Sequence, residues 1–130
     1  MSDAPLPAVE EPIDQELIDA YADLAGDYNP LHVDPEAAAR SEFGGTIAHG
    51  PVGLQAFFRS LVAWSGGAAP PAGTEVRATF LRPVRPGDTI SCHERERTAG
   101  GERLEIAAEC VNQDAATVIA VRAAVPAAAQ

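Results

Sequence analysis

The stretch HGPVGLQAFFRSLVAWSGG, residues 49 to 67, decides the fold. Its apolar residues follow the i, i+3, i+4, i+7, i+8 spacing of an amphipathic helix: Leu54, Phe57, Phe58, Leu61 and Val62. Ala56, Ala63 and Trp64 widen the apolar surface beyond one stripe. Pro51 suits the first helical turn, and the two glycines at 66 and 67 suit the end. We therefore predict a long helix that is covered on several sides.

The hydrophobic period changes to two after this helix. Four segments have this alternation, and they read TEVRATFLRPV, DTISCHERER, RLEIAAECVN and ATVIAVRAAV. They are joined by the short turns RPGD, AGG and NQDA, and short connections join antiparallel neighbours. Two helices precede the long one, over Asp14 to Ala25 and within DPEAAAR, residues 34 to 40. The pattern predicts an α+β domain in which an antiparallel sheet wraps around a long central helix.

The chain of 130 residues is long enough to bury a core without disulfides or metals. We expect one domain over residues 13 to 125. Residues 1 to 12 are acidic and proline-rich and predict a flexible tail, and residues 126 to 130 predict a short C-terminal tail. A curled sheet leaves edge strands that need cover. We therefore expect a homodimer or higher homo-oligomer, with a heterodimer with a related chain as the alternative.

The charge distribution narrows the classes of partner. A net charge of −10 argues against nucleic acid and against an anionic membrane surface. No apolar run approaches the roughly 18 residues of a membrane span, and the N-terminus lacks the features of a secretory signal. The sequence therefore predicts a cytoplasmic protein. Eight of the nine arginines follow residue 43, so this half could still hold a phosphorylated ligand.

Cys92 and Cys110 are the only cysteines, and each lies in phase with the apolar residues of a predicted strand. We expect two buried free thiols. Two cysteines are too few for a zinc ribbon, and the histidines are badly spaced for one. We expect no metal site.

The segment GDYNPLH, residues 26 to 32, has two interpretations. Its residues are ordinary turn formers, which suit the end of a helix. Alternatively, Asp27 and His32 are an acid–base pair, which the bend at Asn29 and Pro30 brings together over one water. A calcium loop is excluded, because the required Gly at its sixth position is His32.

The segment TIAHGP, residues 46 to 51, leads into the long helix. It could simply be a helix that begins with proline. Alternatively, Gly50 brings its backbone N–H close to a ligand at the positive end of the helix dipole and acts as an oxyanion hole. An acid–base pair and an oxyanion donor together are the catalytic groups needed to add water to an α,β-unsaturated thioester, or to remove it.

Four motifs resemble the MaoC-like, (R)-specific enoyl-CoA hydratase family, and the resemblance extends over roughly residues 13 to 125. They are YADLAGDYNPLH, FGGTIAHG, FLRPVRPGDTI and ECVNQDAATVIAVRAAV. The resemblance implies a hot-dog fold and a dimer with active sites near the subunit interface. It implies that Asp27 and His32 activate water, that the Gly50 amide is the oxyanion donor, and that Asn29 and His49 support the site.

The implied activity is that of a lyase in fatty-acid metabolism. It would hydrate trans-2-enoyl thioesters to (R)-3-hydroxyacyl thioesters, or catalyse the reverse dehydration. The acyl group would be carried on coenzyme A or on the phosphopantetheine of an acyl carrier protein, with no metal or redox cofactor. The alternatives are a catalytic or structural subunit of a hetero-oligomeric hot-dog dehydratase, and an acyl thioesterase.

Further ligand contacts have two interpretations each. Arg77, Arg82 and Arg85 could pair with the phosphates of the carrier, or they could be solvated strand ends. Phe57 could line an acyl tunnel, although its helical spacing also suits the core. The segment before the first helix lacks the strand entry that is usual in the family.

Overall fold

An antiparallel sheet wraps around one long helix in the computed structural model, which describes residues 3 to 127. The elements in chain order are β1 (Glu10–Pro12), α1 (Gln15–Ala25), α2 (Pro30–Val33), α3 (Pro35–Ala39), α4 (Gly50–Ser65), β2 (Glu75–Phe80), β3 (Thr89–Gly100), β4 (Arg103–Val111) and β5 (Thr117–Pro126). The strand order is β1-β3-β4-β5-β2. The predicted α+β domain is confirmed.

Helix α4 is the centre of the core. Eight of its residues are buried: Val52, Gly53, Leu54, Ala56, Phe57, Ser60, Leu61 and Trp64. They meet the inward-facing residues of β3, β4 and β5, among them Ile90, Ile106 and Ile119. Gly66, with φ of 75°, ends the helix as predicted. No helix among residues 3 to 127 is both long and apolar enough to cross a membrane.

Helix α1 begins and ends where the sequence predicts, but it buries a narrower face. Asp14 caps it by accepting the Leu17 N–H at 2.7 Å, and Gly26 ends it with φ of 70°. Only Ile18 and Ala22 are buried, whereas Leu24 is 84% exposed. The spacing of Leu17, Ile18, Tyr21, Leu24 and Ala25 predicts a wider apolar stripe, but Leu17 and Leu24 are exposed because α1 packs on the domain along one edge only.

The N-terminal segment packs against the domain instead of forming a tail. Glu10–Pro12 pairs with Thr89 to Ser91 as an edge strand, and Leu6 is only 5% exposed. The Leu6 N–H donates to Glu94 at 3.1 Å, and the Trp64 indole N–H donates to the Ala4 carbonyl at 3.1 Å. The edge of β3 offers backbone groups with which β1 pairs, and the Leu6 side chain is buried in the hydrophobic core. A tail over residues 3 to 12 is thus not what the structure shows.

The described residues stop short of both chain ends. Residues 1 and 2 and residues 128 to 130 lie outside them, so the predicted tails there stay predictions. Pro126 ends β5, and the Ala127 N–H donates to the Glu102 carbonyl at 2.6 Å. The described part of the predicted C-terminal tail therefore continues the sheet.

The two cysteines face each other across β3 and β4. Cys92 and Cys110 are register partners, and both are free and fully buried, as predicted. The adjacent Cys92 thiol, together with burial, raises the pKa of the Cys110 thiol well above its usual range. Cys110 therefore stays a protonated, unreactive core residue.

The position of Leu6 generates a prediction on stability. Leu6→Ala removes a buried side chain, so we expect the free energy of unfolding to fall by about 2 kcal/mol. Urea unfolding monitored by Trp64 fluorescence measures this change. Leu24→Ala is the control, and its exposed position should change the free energy by less than about 0.5 kcal/mol. Equal effects of the two substitutions would show that the N-terminal segment is not part of the fold.

Candidate active site

The loop after α1 is built by local hydrogen bonds. The Asp27 carboxylate accepts the Asn29 N–H at 3.2 Å, and the Asn29 side chain accepts the Leu31 N–H at 3.0 Å. Pro30 opens the short helix α2, which carries His32. The predicted bend is therefore a capped helix start. It returns the chain so that His32 comes back towards Asp27.

Three ionisable side chains converge at this loop. A carboxylate oxygen of Asp27 and one ring nitrogen each of His32 and His49 lie within 4.8 Å of one another. The two imidazoles are stacked, with centroids 3.9 Å apart and planes 27° apart. The Tyr21 ring packs on the other side of the cluster, 4.8 Å from the His49 centroid.

Hydrogen bonds to backbone carbonyls orient both histidines. His32 donates from Nδ1 to the Ile47 carbonyl at 2.7 Å, which leaves its Nε2 able to accept a proton. His49 donates from Nε2 to the Asp27 carbonyl at 3.0 Å. His49 is 3% exposed, and its Nδ1 has no hydrogen-bond partner among residues 3 to 127. His49 thus fixes the backbone of Asp27 through this hydrogen bond, and one face of its ring stacks on the His32 ring.

Asp27, His32 and His49 also form a possible set of metal ligands, because their ligand atoms lie within 4.8 Å of one another. Two histidines and a carboxylate are a known ligand set for transition metals. One nitrogen of each ring already donates to a backbone carbonyl, which leaves the other nitrogen of each ring for a ligand or a proton. The expectation of no metal site stays a prediction.

An open, largely apolar pocket of about 670 Å³ adjoins the two histidines of this cluster. It is lined by His32, Phe43, Ile47, Ala48, His49, Gly50, Pro51, Phe80, Leu81, Arg82, Pro83, Val84 and Ile119. Gly50 is the first residue of α4, and its N–H donates to no group in the described part of the chain. A free amide at a helix N-terminus is therefore presented where a ligand carbonyl could bind.

The structure brings together the main residues predicted from the sequence. Asp27, His32 and His49 form the cluster, Asn29 supports it through the loop, and Gly50 lies at the same pocket. The Asp27 side chain is exposed in the single chain. Burial of this carboxylate would need a second polypeptide.

The predicted ligand contacts are only partly at the pocket. Arg82 lines it, and its guanidinium donates to the Thr117 carbonyl. Arg85 donates to the Phe43 carbonyl at 2.7 Å and so anchors a loop. Arg77 lies in a separate surface groove, which acidic residues line as well. Phe57 is fully buried against Phe58 and does not line the pocket, so it is a core residue.

Sequence reasoning missed three residues at the site. Gln15 donates to the His32 carbonyl at 2.7 Å and accepts the Thr46 hydroxyl at 2.6 Å, which ties α1 to the loop. Phe80 lines the pocket beside Gly50. Nothing local identifies Gln15 or Thr46, because their partners are distant in sequence. Phe80 does lie within the motif FLRPVRPGDTI, where an exposed aromatic at a strand end is a signal.

Comparison with known proteins agrees with this geometry. The family model described as the MaoC-like domain matches residues 2 to 106. The chain belongs to this family. Two solved structures show the hot-dog fold of this MaoC-like domain. The (R)-hydratase from A. caviae involved in PHA biosynthesis is 24% identical, covers 92% of each chain and has a TM-score of 0.77. R-hydratase PhaJ1 from Pseudomonas aeruginosa is 26% identical, covers 91% of this chain and 76% of that one, and has a TM-score of 0.69.

A curated relative is the 3-hydroxyacyl-thioester dehydratase Z of Mycobacterium tuberculosis. It is 55% identical over 38 residues, which are 29% of this chain and 25% of the relative. The MaoC-like domain spans about half or less of the length of the curated relatives that it matches.

The two carbonyl contacts predict which nitrogen of each histidine carries the proton. In the neutral forms, we expect His32 to carry it on Nδ1 and His49 on Nε2. Long-range ¹H–¹⁵N correlation spectra at alkaline pH distinguish the two tautomers directly. Assignment uses the single substitutions His32→Gln and His49→Gln. The same tautomer at both positions would contradict the hydrogen bonds that orient the rings.

Proposed function

We propose that this MaoC-like domain hydrates trans-2-enoyl thioesters to (R)-3-hydroxyacyl thioesters, or catalyses the reverse dehydration. One observation carries the proposal. The Asp27 carboxylate and a His32 ring nitrogen lie within 4.8 Å of each other beside a pocket that also presents the unpaired Gly50 N–H. Hydratases and dehydratases among the relatives support the same reaction class.

The spacing of the pair suits one shared water. Two hydrogen bonds of about 2.8 Å each allow a single water to bridge groups that lie up to about 5 Å apart. In this proposal His32 Nε2, which is not used in the bond to Ile47, and the Asp27 carboxylate hold the same water and accept its proton. The water oxygen then forms a bond to C3 of the enoyl group as the C2–C3 π bond breaks.

The Gly50 N–H acts at the other end of the conjugated system. Electron density from the π bond moves onto the thioester oxygen, and a donor about 2.9 Å away stabilises that charge. The proton taken from water is then returned to C2, so that one water is added in total. The addition of water is redox-neutral overall, so it requires no redox cofactor. The Gly50 amide polarises the thioester carbonyl.

The carrier of the acyl group is coenzyme A or the phosphopantetheine of an acyl carrier protein in this proposal. Arg82 is the candidate for a phosphate contact, because it lines the pocket, whereas Arg77 lies in a separate groove and Arg85 is not among the residues that line the pocket. The reaction class belongs to fatty-acid metabolism. The cytoplasmic location stays a prediction from the sequence.

The proposal includes a homodimer. In the single chain Asp27 is exposed, and so are the apolar side chains of Leu24, Tyr28 and Leu81 near the site and pocket. Strand β2 has a neighbour on one side only, so its outer edge carries unpaired backbone groups. A second copy would cover both the edge and the exposed carboxylate.

Light scattering of the purified chain tests the dimer. We expect twice the mass of one chain, together with hydratase activity of the chain alone. A monomer that becomes active only with a related subunit would instead support the hetero-oligomeric dehydratase. The chain's own acid–base pair would then make it the catalytic subunit.

Substitution of the acid–base pair tests the activity. Disappearance of the enoyl absorbance of a but-2-enoyl thioester is measured with the wild type, Asp27→Asn and His32→Ala. We expect each substitution to lower kcat by about 100-fold or more, since each removes a proton-transfer group. Asp23→Asn is the matched control, because Asp23 is an exposed carboxylate whose hydrogen bond is to the Tyr28 hydroxyl and not to the acid–base pair.

Full activity in either pair variant would rule out the assigned chemistry. Release of free thiol without formation of a 3-hydroxyacyl product would instead support the thioesterase. Loss of activity in Asp23→Asn as well would point to a general electrostatic effect of the acidic segment.

A further inference from the structure

The side chain of Phe80 fills the space in which a side chain at position 50 would stand. A Cβ placed on Gly50 would lie 2.7 Å from Phe80 Cζ, 2.8 Å from Cε1 and 3.4 Å from Cε2. The tip of the ring therefore points at the Gly50 Cα. Only glycine leaves room for this approach, since the first two distances are shorter than any normal carbon contact.

The backbone around Phe80 is held on both sides. Phe80 is the last residue of β2 and the register partner of Ile119 on β5. The next two N–H groups, those of Leu81 and Arg82, donate to the Val118 carbonyl at 2.8 and 3.2 Å. The ring itself is 55% exposed and lines the pocket. A fixed backbone thus aims a half-exposed ring at the oxyanion amide.

A thioester bound to the Gly50 amide would have its reacting end within reach of this ring. A carbonyl oxygen that accepts the Gly50 N–H lies about 2.9 Å from the nitrogen, which is about 1.5 Å from the Gly50 Cα. The thioester carbon and the α-carbon are one and two bonds beyond that oxygen. Atoms this close to Gly50 can lie alongside the ring tip, with the rest of the acyl chain extending past it into the pocket.

We propose that Phe80 is a specificity-determining residue that excludes acyl groups with a branch at the α-carbon. The inference rests on the hydration proposed above. A methyl group at C2 would require the volume that the ring tip occupies, and the ring cannot retreat towards Gly50 without a clash. An unbranched enoyl group presents only a flat C2–H there. Phe80 thereby selects substrates by their shape next to the reacting bond.

The selectivity is tested by two substrates of nearly equal size. Values of kcat/KM are measured for but-2-enoyl and 2-methylbut-2-enoyl pantetheine thioesters with the wild type, Phe80→Leu and Phe80→Ala. We expect Phe80→Ala to raise the branched-to-unbranched ratio by about tenfold or more, and Phe80→Leu to raise it less. The half-exposed position of Phe80 keeps both variants folded, which thermal unfolding verifies.

Leu81→Ala is the comparison variant. Leu81 also lines the pocket and is also about half exposed, but its side chain is not among the atoms that meet Gly50. Its substitution should change the two kcat/KM values together and leave the ratio within twofold of the wild type. An equal rise of the ratio in Leu81→Ala and Phe80→Ala would overturn the assignment to Phe80.

Binding of saturated analogues separates this inference from the proposed activity. Calorimetry with butanoyl and 2-methylbutanoyl pantetheine thioesters measures the preference without catalysis. We expect the wild type to prefer the unbranched analogue and Phe80→Ala to lose that preference. A wild type that hydrates neither substrate but binds selectively would refute the hydration and retain the selectivity. Equal preference in both proteins would overturn the inference.

A substitution at Gly50 tests whether the Phe80 ring occupies the space beside the Gly50 Cα. Gly50→Ala keeps the backbone N–H but brings its methyl group against the ring tip. We expect lower activity in Gly50→Ala and partial recovery in Gly50→Ala/Phe80→Ala, where the clash is removed. Wild-type activity and selectivity in Gly50→Ala, or no recovery in the double variant, would show that the ring does not occupy this place.

Discussion

The backbone of Ile47 and Ala48 is the junction on which the site depends. The Ile47 N–H donates to the Leu31 carbonyl at 3.0 Å, and the Ile47 carbonyl accepts from His32 at 2.7 Å. The next N–H, that of Ala48, donates to the Val84 carbonyl at 2.7 Å. Two consecutive residues therefore join the loop that carries the acid–base pair to the segment between β2 and β3, and they lead into α4.

This junction explains why a site with so few residues has a defined shape. The acid–base pair comes from residues 27 to 32, the amide from residue 50, and the pocket wall from residues 80 to 84. Each segment is short and has little structure of its own. Hydrogen bonds to a shared stretch of backbone fix their separation, and the neighbouring Gln15 and Thr46 side chains add a second tie to α1.

The parts of the molecule that local chemistry determines could be predicted from the sequence. The span of α1, the length of α4 and the positions of four strands follow from turn residues and hydrophobic period, and the structure confirms them, except that β2 ends at Phe80 and so is shorter than the predicted segment TEVRATFLRPV. The two motifs GDYNPLH and TIAHGP predict Asp27, His32 and Gly50 because they would serve one reaction. The structure brings Asp27 close to His32, and His32 and Gly50 to one pocket, while their catalytic roles stay a proposal.

The remaining differences all involve contacts between distant segments. The alternation of apolar and polar residues in β2 does not reveal that Arg77 lies in a groove apart from the pocket. The groove is formed by residues of several strands, and their order in the sheet is not visible in one segment. The exposure of Leu24 depends on how little of α1 meets the core. Phe80 meets Gly50 across 30 residues of sequence, so neither position alone shows that the two share one volume.

The docking of the N-terminal segment has a consequence for the order of folding. Residues 10 to 12 pair with residues 89 to 91, and Leu6 bonds Glu94, 88 residues later. A chain made from its N-terminus therefore completes its first strand only after most of the domain has emerged. Closing such a long loop is slow compared with the formation of hairpins such as β3–β4. Residues 6 to 12, although they precede the rest of the domain in the chain, should thus be among the last to reach their native positions, and the Trp64 side chain on α4 stays incompletely covered until they do.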